Sequence, residues 1–66
     1  MKIVYQGIEV ETSVATVAGF LAEKGVDAAR ALVEYRGEVH AAGAGLDALM
    51  LEEGAELNVF ALVAGG

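Results

Sequence analysis

The first twelve residues, MKIVYQGIEVET, alternate apolar and polar side chains on both sides of a single glycine. Met1, Ile3 and Tyr5 fall on one face, and Lys2, Val4 and Gln6 fall on the other. After Gly7 the alternation resumes from Ile8 to Glu11. A period of two broken by one turn residue predicts strand, tight turn and strand, so this segment reads as a β-hairpin.

What can stabilise a domain built on such a hairpin is limited by what the chain lacks. Its 66 residues include no Cys and one His. Disulfides, Cys-ligated zinc and a His-rich metal cage are therefore excluded as supports for a small fold, and no metal site is expected. Stability has to come from apolar packing, and 56% of the residues are hydrophobic. We expect one domain spanning residues 1–66. No apolar stretch approaches the ~18 residues of a membrane span, and the first residues lack a signal-peptide pattern. A soluble, cytoplasmic protein with no membrane partner is the expectation. Ten acidic residues against four basic ones give a net charge of −6. That sign argues against nucleic acid and favours a basic docking surface on a protein partner.

Past the hairpin the period changes. In TVAGFLAEKG, Thr16 is placed to cap a helix, with Ser13 an alternative cap about one turn earlier; Val17, Phe20 and Leu21 share one stripe, and Gly25 follows Lys24 as a stop. Gly19 costs this helix about 1 kcal/mol against Ala, and a close approach to the sheet would explain it. Residues 26–30 read as a linker, followed by a strand from Ala31 in which Val33 and Tyr35 point one way, Leu32 and Glu34 the other. Arg36-Gly37 makes a tight turn into a short return strand, Glu38 to His40. The glycine-rich stretch after it carries Leu46, Leu49 and Met50 at helical spacing and predicts a loop with one or two short helical turns. Glu52 to Gly54 then turn the chain into a last strand, Glu56 to Val63. Strands gathered around a single main helix read as α+β, with a mixed sheet of four to five strands.

Several groups invite a chemical reading and lose it on inspection. AGAGLD, residues 42–47, echoes a phosphate-binding loop but follows no βαβ strand and lacks the third glycine. His40 has no second group spaced to work with it as acid or base. Glu52, Glu53 and Glu56 are read as a solvated turn, and Tyr5 and Phe20 as core.

The block EEGAELNVFALVAGG is different: an acidic-Gly turn, an apolar strand, then Gly65 and Gly66. With MKIVYQG, TVAGFLAEKG and VEYRGEVH before it, this order resembles the ubiquitin-like sulfur carriers of the ThiS/MoaD family, over nearly the whole chain. The resemblance departs from the family at RGEVHAAG, where members often carry an Asn-Gly-type turn and a Pro-Arg-like segment. It implies a β-grasp fold and a flexible tail at residues 64–66. It also implies a protein co-substrate that binds no cofactor and has no intrinsic catalytic residue. By the same resemblance, an E1-like adenylating enzyme of the ThiF/MoeB type uses ATP to activate the Gly66 carboxylate. Sulfide or a persulfide donor converts the product to a thiocarboxylate, and a synthase of the thiazole-forming type in thiamine biosynthesis accepts the sulfur. Gly65 and Ala64 would follow Gly66 into the partner's site. Related readings are a carrier for molybdopterin or for cysteine or homocysteine synthesis, and a modifier conjugated to lysines through Gly66. A small α+β interaction domain with an incidental tail stands apart from these.

Strict alternation along the last strand places Leu57 and Val59 inward with Ile3, Tyr5, Val17 and Leu21. Phe60 and Leu62 then fall outward, near Val4 and Leu32, as a docking patch. A register slip or bulge that turned Phe60 into the core would remove it.

Overall fold

The computed structural model describes residues 1–41 and 45–62, with Ala61 and Leu62 described by their backbone. Along these residues run β1 (Lys2–Tyr5), β2 (Ile8–Glu11), α1 (Val17–Glu23), β3 (Ala31–Tyr35), β4 (Glu38–His40) and β5 (Glu56–Leu62). The five strands form one mixed sheet in the order β2-β1-β5-β3-β4. β1 pairs antiparallel with β2, and β3 antiparallel with β4. β5 joins the two hairpins, running parallel to β1 and antiparallel to β3. The class is α+β, as the sequence pattern implies.

Both hairpins turn on two residues with positive φ: Gln6 and Gly7 at 52° and 80°, Arg36 and Gly37 at 52° and 85°. Two left-handed residues in succession give the type I′ turn, whose twist matches that of the strands it joins. Glycine takes the second position without strain. Gln6 and Arg36 take the first, where Asn, Asp or Gly is the usual occupant.

The helix has seven residues and begins at Thr16, whose Oγ1 accepts from the Gly19 N–H. The preceding N–H groups, which a helix cannot satisfy internally, go to the loop after β4. Val17 N–H donates to Leu49 O (2.9 Å) and Ala18 N–H to Leu46 O (3.1 Å). A methyl group on Gly19 would lie 3.1 Å from Thr16 Oγ1 and 3.7 Å from Val14 Cβ. The close approach at Gly19 is therefore to the helix's own cap and entry segment, not to the sheet.

Ile3, Val17, Phe20, Leu21, Val33 and Leu57 are fully buried between helix and sheet, and the Tyr5 ring meets Phe20 edge-on at 4.9 Å. Leu46 and Leu51 complete this core from the loop. The expected helical turns in that loop are a single hydrogen-bonded turn, Ala48 N–H to Gly45 O, and no helix forms there among the described residues. Its carbonyls and amides bond to α1 and β3 instead. The segment read as a linker contains a one-turn 3₁₀ helix, Ala28–Arg30, capped by the Asp27 carboxylate on the Ala29 N–H.

Tyr35 ties the loop to the sheet. Its hydroxyl donates to Met50 O (2.7 Å) and accepts from Glu52 N–H (3.0 Å), with the residue only 5% exposed. Burial raises its ionisation above the ordinary value of 10.0, while the Glu52 amide bond pulls the other way. A folded value above the unfolded one means that the neutral hydroxyl stabilises the fold fully below about pH 10, and that this contribution fades as pH rises further. Tyr35→Phe leaves two backbone groups without a partner and should cost about 1–3 kcal/mol in urea unfolding at pH 7. The gap between wild type and variant should narrow above pH 10.

Candidate functional site

Of the expected docking residues, Phe60 is the best defined. Val33 pairs with Val59 and Leu32 with Ala61, so the register shifts there and Phe60 has no partner on β3. This is a β-bulge, and it leaves Phe60 56% exposed. The bulge that would have removed the patch is thus present, yet it does not carry Phe60 into the core. Leu57 is fully buried and Val59 half-buried against the core, as assigned.

Val4 is half-buried, with Glu9 opposite it on β2 and Glu56 on β5. The expectation that Val4 and Phe60 sit together fails. Four residues separate Glu56 from Phe60 along β5, roughly 13 Å at ~3.3 Å per residue. The neighbour across β3 is half-buried Leu32, opposite Ala61. Strict alternation was the reason for grouping Phe60 with Leu62, and the bulge breaks it. The Leu62 side chain, together with Ala64, Gly65 and Gly66, lies outside the described residues.

Gln6, which no sequence pattern singled out, holds β5 beside the bulge. β1 ends at Tyr5, and the Gln6 N–H donates to Leu57 O (3.1 Å). Its carboxamide then carries the ladder one step further. Nε2 donates to Val59 O (3.1 Å), and Oε1 accepts from Val59 N–H (2.9 Å). A side-chain amide here replaces the backbone amide that the turn has taken away.

The sheet face turned from the helix is acidic, chiefly at its Val4 end, with Glu34 nearer Leu32. Cross-strand pairing puts Glu9, Glu11, Glu34 and Glu56 on the Val4 side, with exposed Val39 opposite Glu34. Lys2 reaches Glu9 at 3.9 Å, and Glu34 Oε1 accepts from Asn58 Nδ2 at 3.1 Å. Apolar groups set among carboxylates suit a partner surface that is apolar with a basic rim.

The remaining candidates disperse. Glu52 pairs with Arg36, Glu53 accepts from the Lys2 N–H, and Glu56 is exposed on β5. They form no common site, and among the described residues no group of three His, Cys, Asp or Glu could hold a metal. His40 is half-buried on a cleft of about 350 Å³ that Tyr35, Arg36, Glu38, Leu49 and Met50 also line. The Tyr35 hydroxyl there is already engaged with Met50 and Glu52. Among the described residues no helix is long and apolar enough to cross a membrane. AGAGLD falls partly outside the described residues; Leu46, within it, is core.

No protein-family model matches this chain, and no curated protein is significantly similar to it. The reading of the site rests on its residues.

With half its ring surface in solvent, Phe60 contributes little to the fold. Phe60→Ala should lower stability by no more than about 1 kcal/mol, well short of the ~3–5 kcal/mol of a core phenylalanine. A thermal melt of the variant checks this.

Proposed function

We propose that this protein is a sulfur carrier with a β-grasp fold, a protein co-substrate whose Gly66 carboxylate becomes a thiocarboxylate. The observation that carries this reading is the position of β5. The strand leading to AGG lies at the centre of the sheet between β1 and β3, parallel to the first strand, with one helix across the opposite face. A segment gripped on both sides is a firm base for a slender carboxy-terminal arm.

The chemistry follows from the group. An α-carboxylate, with a pKa near 3.5, is ionised at neutral pH and is a poor electrophile. An E1-like enzyme would activate it as the acyl-adenylate, releasing pyrophosphate from ATP. Sulfide then displaces AMP; a protein persulfide attacks likewise, and a thiol then cleaves the resulting acyl disulfide. The thiocarboxylate is a soft nucleophile that passes its sulfur to an acceptor, for which thiazole formation is our first choice. Gly65 and Gly66 lack Cβ and suit a narrow channel. Val63 to Gly66 reach about 13 Å when extended. Phe60 and Leu32, with Glu34 beside them, form the face that meets the adenylating enzyme, and Val4 with its carboxylates lies at the far margin. In this reading the protein works in the cytoplasm and the steps ask for no cofactor of its own.

Incubation with a ThiF/MoeB-type enzyme, ATP and sulfide should exchange one oxygen for one sulfur. Tandem mass spectrometry should place the change at Gly66. Deleting Gly66, or adding one residue after it, should abolish the exchange with the melting temperature nearly unchanged. His40→Ala should keep most of the activity. Sulfur found nowhere would overturn the proposal, and whole-chain adducts on lysines of other proteins would favour the modifier instead.

A further inference from the structure

We propose that Gln6 is a positioning residue: its carboxamide clamps Val59 and so sets the course of β5 through the Phe60 bulge. This rests on the sulfur-carrier reading and names a residue that governs how that arm is presented.

Three observations converge on it. First, β1 stops at Tyr5, so the Gln6 side chain makes the two hydrogen bonds to Val59 that a longer β1 would have made through its backbone. Second, the next residue of β5 is the bulge, where pairing to β3 shifts register. Bulges bend a strand and re-aim the residues beyond them. Without the carboxamide, β5 would enter the bulge held from β3 alone. Third, Gln6 sits at φ 52°, in a turn position better served by Asn or Gly. Residues held in sparsely populated conformations point to a role for the side chain. Asn would suit the backbone but is one methylene shorter, and Gly has no side chain; only the longer amide makes both bonds. A simple turn residue needs none of this.

Gln6→Asn and Gln6→Gly separate the two roles, because both satisfy the turn and neither bridges to Val59. A melt establishes that each variant is folded, and either one suffices. By amide hydrogen exchange, Val59 should exchange about tenfold faster in the variants, the expected loss from two exposed hydrogen bonds, while Leu57 and Val33 stay protected. In thiocarboxylate formation with the adenylating enzyme, kcat should fall about tenfold because the arm is misdirected, and KM for the carrier should rise as well because Phe60 moves with Val59. Gln6→Glu, which keeps an acceptor for the Val59 N–H but offers no donor to its carbonyl, should lie between. Unchanged Val59 exchange overturns the clamp. Faster exchange with unchanged kcat makes Gln6 a structural residue only and overturns the positioning role alone. Wild-type protein that gains no sulfur overturns the carrier reading and the positioning role together.

Discussion

The Tyr35 hydroxyl holds together two layers that would otherwise meet over too small an area. A helix of seven residues is about 10 Å long and cannot cover a five-stranded sheet by itself. The loop around residues 46–51 supplies the missing cover through Leu46 and Leu51, and it has no regular ladder of its own. Its backbone is satisfied by attachment: to the first turn of α1 through Leu46 and Leu49, to Ala15 through the Leu51 amide, and to β3 through Tyr35. The same bonds satisfy the helix N-terminus, so cap, loop and strand support one another. In a chain without cysteine, this shared hydrogen bonding supplies the cohesion that a larger core gives elsewhere.

Much of this was legible from residue order. The alternation in MKIVYQGIEVET and the apolar stripe Val17, Phe20 and Leu21 yield β1, β2 and the end of α1 within a residue of their observed limits, and of the two caps on offer the structure uses Thr16, not Ser13. Those signals are strong because each periodicity has one partner surface. The loop has one hydrogen-bonded turn, the lower end of the one or two expected. Leu46, Leu49 and Met50 have helical spacing, but their backbone groups serve the neighbouring helix and strand, and tertiary bonding overrode the local pattern. At the candidate site the exposure of Phe60 could be read from alternation, whereas its distance from Val4 could not. That distance depends on where a parallel strand pair starts, which no local pattern encodes, and on a bulge that breaks the period.

Gln6 and Arg36 show what a turn position can hide. Both occupy the same strained place before a glycine, and both send a side chain across to the segment beyond the second hairpin. Gln6 reaches Val59, and Arg36 reaches Glu52 while its own N–H donates to Glu56 O. The backbone preference at these sites favours Asn or Gly, so the longer side chains signal contacts that a turn propensity does not require. Each hairpin is thus fastened to the β5 segment at its tip as well as along its strands.

The central position of β5 has a kinetic side. Until residues 56–62 are in place, β1–β2 and β3–β4 are separate hairpins with no shared edge, and each is marginal alone. The ladder that unites them pairs Val4 with Glu56, so nearly the whole chain must be closed into a loop before the sheet gains its middle. Loop closure of that span precedes its reward and places this protein among slow folders for its size. The two hairpins stay unjoined until β5 enters between them. Assembly of the sheet is then completed by one strand, and the two hairpins share no ladder without it.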